Sequence, residues 1–513
     1  MKKLFALALT ICLMLTALCI TAFAAEPPAE GVVLRVSGLL SDGNLVTYED
    51  HKGMETGWNA AIDLALNTET LKEQGFKRVV VDLYADWTAK NEDFGEDSDG
   101  FDEGAIVFPE DVHITLNLNG HTIDRALTEW EYDGSVIYIC EDADVIINDG
   151  TITGGYSCDS AGGIDIAEYA TVILNNVHVK GNWVEDDLGG GIAVLYRASL
   201  TMNGGSLCDN VADESYSAAL LGAEDNGGGG IFVKDASIVL EGVTIQNNQI
   251  AGAGYDAYGA AICAVNSRVT MNNCNVTGNG IEDDAKGFVC PDNIICGLQQ
   301  STFTITNTTF TNNGTIEGTP HAVLYLNGKP ILNMDNCTFT GNNADNLIEG
   351  VPDFSIWNCT FLDNNSNVLA LGDMFGGDKL TFNNCTFNNN LNTSRDYYTT
   401  FGFYFRDKED LDLTFTDCDL GNSTFSHEGF YKIVSTAKPE AVPEEVIPEE
   451  TVPEETTPEK IITEETTPSM EGTILNAGSS MSMVVALLAL CVSVASLVAT
   501  IMLYKKISSA NNK

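Results

Sequence analysis

The chain has 513 residues and a formal charge of -48, with 73 acidic side chains against 25 basic ones. A polyanion of this kind is repelled by nucleic acid and by anionic surfaces, which removes nucleic-acid binding from the functions open to it.

The opening stretch, MKKLFALALTICLMLTALCITAFA, has two lysines, a long apolar run and the small-residue pattern Ala22-Phe23-Ala24. It predicts a secretory signal peptide over 1–24, cleaved after Ala24. Leu18 stands where a lipidated Cys19 would need a small residue, so a lipoprotein signal is set aside. Residues 25–104 read as an N-terminal cap region. There GWNAAIDLALNTETLKEQG places Trp58, Ala61, Ile62, Ala65 and Leu66 on one face of a single helix stopping at Gly75, and FKRVVVDLYADW follows as a strand. The open end of a coil stack exposes strand edges and core, so this helix is expected to cover it. The acidic loop EDFGEDSDGFDE (92–103) lacks EF-hand spacing and reads as a solvated loop, with calcium as the other reading.

From residue 105 to 435 one eleven-residue phrase recurs. The two copies FSIWNCTFLDN (354–364) and LTFNNCTFNNN (380–390) show it most plainly. Blocks start at Leu116, Val145, Val172, Leu200, Ile238, Val269, Phe303, Leu332, Phe354, Leu380 and Leu413, at a mean interval of 29.7 residues. Positions one and three are apolar, the period of a strand. Position five is always Gly, Asn or Asp, from Gly120 and Asp149 to Asn384 and Asp417, which marks a tight left-handed corner. Position eight is large and apolar again (Ile152, Ile245, Phe310, Phe339, Phe361, Phe387), so a second strand leaves the corner. Position eleven is Asn182, Asn210, Asn248, Asn279, Asn313, Asn342, Asn364 and Asn390 in eight blocks. Runs such as Gly189-Gly190-Gly191-Ile192, Gly228-Gly229-Gly230-Ile231 and Gly259-Ala260-Ala261-Ile262 signal a third strand in the connections. Stacked at about 4.8 Å per rung, such units make an all-β parallel solenoid of about eleven coils, with Asn over Asn and Phe over Phe.

Cys274, Cys337, Cys359, Cys385 and Cys418 occupy position six, which takes small inward residues; His121 takes that place in the first block and reads as a core histidine. Eleven ectodomain cysteines with no CxxC pair suggest neither a disulfide framework nor a zinc site, and reduced thiols are expected. Beyond the coils, 436–480 has prolines and glutamates in a five-residue register and predicts a disordered, extended stalk. The uncharged run 481–504 is long enough to cross a bilayer as one transmembrane helix. Lys505, Lys506 and Lys513 then place the tail 505–513 on the cytoplasmic side, with the bulk of the chain outside a bacterial cell membrane.

Phe310-Thr-Asn-Asn313, Phe339-Thr-Gly-Asn342, Phe361-Leu-Asp-Asn364 and Phe387-Asn-Asn-Asn390 resemble the FxxN repeats of the polymorphic outer-membrane adhesins, and the GGGI runs resemble their GGA[ILV] partner. More broadly, residues 105–425 are similar to bacterial right-handed parallel β-helix surface proteins. The resemblance implies a right-handed solenoid and a surface role. The polymorphic adhesins end in a membrane barrel, whereas this chain continues into a stalk and one apolar segment without an LPxTG motif.

The same fold hosts pectin lyases and polygalacturonases, and two flanking carboxyl groups are what inverting hydrolysis requires. Glu185, Asp186 and Asp187 and the triplet Glu282, Asp283 and Asp284 fall at equal offsets after Asn182 and Asn279, with Asp213 and Glu214 after Asn210. They predict a carboxylate stripe that is either a solvated face or a cation or sugar site, with calcium the fitting ion. Neither the histidine between glycines nor the RxK expected of a polygalacturonase accompanies them, so no catalytic residue is assigned. Trp183, Tyr216, Tyr255 and Tyr258 in the connections are candidates for stacking on sugar rings. The reading is an adhesin or glycan-binding protein with a polysaccharide or cell-surface partner. A polysaccharide-active enzyme, either a pectin lyase-like lyase or a glycoside hydrolase, and a structural envelope spacer are the alternatives.

Overall fold

A computed structural model describes residues 28–434 except 90–104, 132–133, 159–160, 186, 214–226, 252–257, 282–292, 315–320, 329, 351–352, 372–379, 391–399, 404–412 and 426–430. The expected signal peptide, acidic loop 92–103, stalk, transmembrane segment and tail lie outside the described residues.

The described chain is a stack of rungs whose strands form parallel ladders along one axis. In the first ladder Val145 faces Val172, and the line continues through Leu200, Ile238, Val269, Phe303, Leu332, Phe354 and Leu380 to Leu413. These are the starts of ten of the eleven blocks, each in register with the next. A second ladder carries position eight, and the strands Asp144–Thr153 and Thr171–Lys180 run through the corner to join both. The anticipated third strand appears as Ile164–Ile166, Ile192–Leu195, Ile231–Lys234 and Ile262–Val265 within a separate eleven-stranded sheet.

The first block departs from its expected register: Ile114, not Leu116, faces Val145, while Ile123 still faces Ile152. Its corner is therefore two residues longer. Leu118, fully buried, fills the added space directly over Gly150, where a Cβ would come within 2.3 Å of the Leu118 Cβ. His121 in consequence lies outside the core, one-third exposed, with Nδ1 3.2 Å from Asp86 Oδ1. Stacking also begins earlier than the cap boundary implies, since Val79 and Val81 face Ile114 and Leu116, and Trp87 faces Ile123. On the other side of Phe76–Leu83, the strands Leu34–Leu40 and Leu45–His51 pair antiparallel. The expected single helix is two, Met54–Leu66 and Thr68–Gln74, because the Asn67 side chain accepts the Thr70 N–H at 3.0 Å and starts the second. The first lays Trp58, Ala61, Leu64 and Ala65 inward, with Leu66 exposed instead of buried. Trp58 meets Trp87 and Phe108 edge-on at 6.1 and 5.0 Å.

Left-handed backbone occupies the expected corner, as at Asp149, Asn176, Asn273, Asn307, Asn336, Asn358, Asn384 and Asp417. It also marks a second corner that the block alignment did not single out: Asp209, Asn247, Gly278, Asn312, Gly341, Asp363 and Asn389 at position ten. Beneath that corner the eight asparagines are buried and joined, the Nδ2 of each from Asn182 to Asn364 donating to the next coil's Oδ1 at 2.8–3.1 Å. The second amide hydrogen reaches a carbonyl of the preceding coil, as from Asn279 to Ile245 O at 2.9 Å. The Asn279 Oδ1 also accepts the Asn248 backbone N–H at 3.0 Å. Every polar atom of such a side chain is satisfied without water. Phe310, Phe339, Phe361 and Phe387 stack face to face at 4.4, 5.0 and 5.1 Å. The thiols of position six donate to carbonyls across the first corner, Cys337 to Ile305 O at 3.4 Å and Cys385 to Asn383 O at 3.3 Å.

Replacing Asn279 with Ala strands two donors of Asn248 and takes a donor from Ile245 O, while Asn313 Oδ1 keeps the backbone N–H of residue 279, so urea unfolding should show a loss of about 3 kcal/mol. A loss under about 0.5 kcal/mol would mean the ladder is decoration. Gly242 has φ 66° with no atom within 4 Å of its missing Cβ. Gly242→Asn, the residue other coils use there, should leave the midpoint unchanged or raise it. Gly190→Ala, whose Cβ would sit 2.3 Å from Val211 O, should lower it clearly in the same assay.

Candidate functional site

A third, five-stranded ladder follows the asparagine row: Tyr156–Ser157, Trp183–Glu185, Val211–Asp213, Gln249–Ala251 and Gly280–Ile281. Val184, Ala212 and Ile250 are buried, which turns their neighbours Trp183, Glu185, Val211 and Asp213 to the other face. The glycine runs make this ladder's close approach possible. A Cβ at Gly190 or Gly229 would fall 2.3 Å from the carbonyl of Val211 or Gln249.

The structure brings three predicted residues together here. Glu185 faces Asp213 across one rung, and Trp183 lies two residues before Glu185 on the same strand face. Tyr156, which the sequence reading passed over, faces Trp183 from the preceding rung with ring centroids 5.7 Å apart and tilted by 43°. Its hydroxyl donates to Glu185 Oε2 at 3.2 Å. Burial, then the charges of Glu185 and Asp213, push the Tyr156 phenol up to about 12, so it stays a donor at any physiological pH. The Trp183 indole N–H is shielded and has no hydrogen-bond partner among the described residues. Tyr156 and Trp183 both stand eleven residues after their block starts, Val145 and Val172, so the shared offset was the available signal.

Asp187, half-buried, lies two residues beyond the strand end Glu185. Tyr258 sits elsewhere, only 8% exposed, in an apolar cluster with Phe232, Cys263, Val265, Cys296 and Leu298. Asp186, Glu214, Glu282, Asp283, Asp284, Tyr216 and Tyr255 lie outside the described residues. Among the described residues no group of three or more His, Cys, Asp or Glu side chains is arranged to hold a metal ion.

A second feature lies on the outer face of the first ladder. Position four of the block is an outward row that carries Asn148, Asn175, Asn203, Asn272 and Asp335, but Trp357 in its coil. That indole is 49% exposed and is held by its N–H donating to Ser355 Oγ at 2.8 Å. It borders a cleft of about 370 Å³ with Thr304, Thr306, Asn333, Asp335 and Ser355. An exposed indole face beside hydroxyl, amide and carboxylate groups is the chemistry that takes a sugar ring: the face stacks on C–H groups while the rim accepts and donates to hydroxyls.

Near the C-terminal half, His321 lies between Asp345 at 3.4 Å and Glu349 at 2.7 Å. Burial disfavours its charge, but hydrogen bonds from the ring to both carboxylates, with their charge, outweigh that and hold it up at about 9. A folded-state value above the unfolded 6.5 means stability that is complete below about pH 6.5 and lost as pH rises through 9. Denaturant midpoints measured across that window should fall by the equivalent of about 2 kcal/mol, and His321→Gln should flatten the slope.

Residues 229–424 match the family model described as right handed beta helix region. No curated protein and no solved structure matches the chain. The family match over residues 229–424 and the in-register parallel stacking together support a right-handed β-helix fold.

Proposed function

We propose that this chain is a membrane-tethered surface protein whose β-helix stands outside the cell and binds glycan, as an adhesin or a glycan receptor. The signal-like N-terminus, the proline- and glutamate-rich segment and the uncharged run 481–504 support the tethering. Among the described residues no helix is long and apolar enough to cross a membrane, and 481–504 falls outside them. In this reading the stack of about eleven coils is the display rod, and the helix Met54–Leu66 closes its N-terminal end.

The observation that carries the binding role is Trp357, an exposed indole locked beside a polar cleft in a row that other coils fill with Asn, Asp, Glu or Thr. The row of Tyr156, Trp183, Glu185 and Asp213, with the neighbouring Asp186 and Asp187, supports a second contact on another face. The stacked interior supplies stability that the outer rows need not, which leaves them open to such departures.

The test is retention of the full-length, detergent-solubilised protein on immobilised neutral and uronate-containing polysaccharides. Saturable retention without new product is expected, and on the neutral polysaccharides Trp357→Ala should weaken it by about tenfold, the worth of one stacked ring. Trp183→Ala with Glu185→Gln reports on the second contact. Retention unchanged in both variants would place the site elsewhere. New reducing ends or unsaturated products would make the chain a polysaccharide-active enzyme, and no retention at all would leave the spacer.

A further inference from the structure

A third left-handed corner precedes the first ladder, and most of its members are the residues that tolerate that backbone: Asp142, Asp235, Asn266 and Gly328. Gln299, φ 58°, also departs from this set, and two successive coils break it with bulkier residues. Tyr169 has φ 60°, and Tyr196 and Arg197 have φ 40° and 68°, in a region that costs bulky side chains energy. Neither tyrosine gains by burial, since they are 40% and 45% exposed, and the Arg197 side chain is 67% exposed. Strain without burial at consecutive rungs needs a reason outside folding.

The surface these residues make has a definite chemistry. The Arg197 guanidinium donates to the Tyr169 hydroxyl, lies 5.1 Å over that ring and stands 3.7 Å from Glu168. Lys234 lies 6.0 Å over the Tyr196 ring. Beside them a groove of about 320 Å³ crosses the rungs, lined by Arg197, Ser237, Asn266, Arg268, Gln300 and Thr302. Ser199 faces Ser237, which faces Arg268, so an arginine stands where the two preceding coils have serine. The carboxylate in the groove wall, Asp235, already accepts from Asn266 Nδ2 at 2.5 Å. Three cations thus gather at one corner of a chain of charge -48. Acidic groups further along the rod are screened beyond roughly 10 Å in physiological salt.

We propose that this corner is a binding site for an anionic polysaccharide, one carrying carboxylate or sulfate groups on its rings. Arg197 and Arg268, about two rungs or ~10 Å apart, take two anionic groups in paired hydrogen bonds. The Tyr169 and Tyr196 rings face the sugar, and Ser237, Gln300 and Thr302 meet its hydroxyls. The site is separate from the Trp357 cleft, and its test keeps the two apart.

The test measures binding of full-length protein to alginate, a polyuronate, to dextran sulfate and to uncharged dextran. The variants restore the repeat: Arg197→Asn, which suits the left-handed corner, and Arg268→Ser, which copies the neighbouring coils. The double variant should bind both polyanions at least about tenfold more weakly, while its urea midpoint stays equal or rises. Binding of the polyanions should also weaken as salt is raised, and Trp357→Ala should leave it unchanged. Full polyanion binding by the double variant would overturn the proposal. So would a loss accompanied by a lower urea midpoint, which would assign the arginines to the fold. An equal loss of dextran binding would overturn its charge selectivity, and abolition of alginate binding by Trp357→Ala would move the ligand to the cleft.

Discussion

The rest of this structure depends on one side chain's ability to be donor and acceptor at once. A carboxamide buried at the same corner of successive coils bonds upward with its nitrogen and downward with its oxygen, and seven such bonds join the eight asparagines from Asn182 to Asn390. An amide that slipped by one residue would lose its ladder partners and the carbonyl below, leaving several buried polar groups unpaired. The ladder therefore sets register as well as stability. The phenylalanine column beside it repeats the constraint in apolar form, because rings 4.4–5.1 Å apart leave no room for a misaligned coil.

The exterior uses the same amide chemistry with a difference. On position four, Asn203, Asn175 and Asn148 each donate to the coil before, and the run ends when Asn117 donates to Asp82 at 2.7 Å. A carboxylate accepts without needing to donate, so it terminates a one-directional chain cleanly. Glu241 does the same for Asn272 at 2.7 Å. Some of the acidic excess is thus structural, placed where an amide ladder has to stop.

Against so regular a background, departures carry meaning. Trp357 interrupts a row of small polar and acidic residues, Arg268 interrupts a row of serine and threonine, and Tyr169 and Arg197 interrupt a corner suited to Asp, Asn and Gly. None of them is fully buried, so packing does not account for their presence. Tyr156 and Trp183 belong to the same group, sharing a rung-to-rung contact on the third ladder. A solenoid whose interior is closed by repetition can vary its outer rows at little cost to folding.

The repeat determined by itself the ladders, the first left-handed corner, the inward asparagines and the stacked phenylalanines, because each follows from a period that local residue chemistry enforces. Ten block starts fell in register for that reason. What only the tertiary structure decided were the places where one rung answers to another. Leu118 shifts the first corner because Gly150 leaves it room, and Asn67 breaks the helix by capping the next one. Tyr258 is buried with the help of Phe232, Cys296 and Leu298 from other coils, while Trp357 is left open by small polar neighbours on adjoining coils. Exposure depends on which rungs lie above and below, and no single block of eleven residues contains that information.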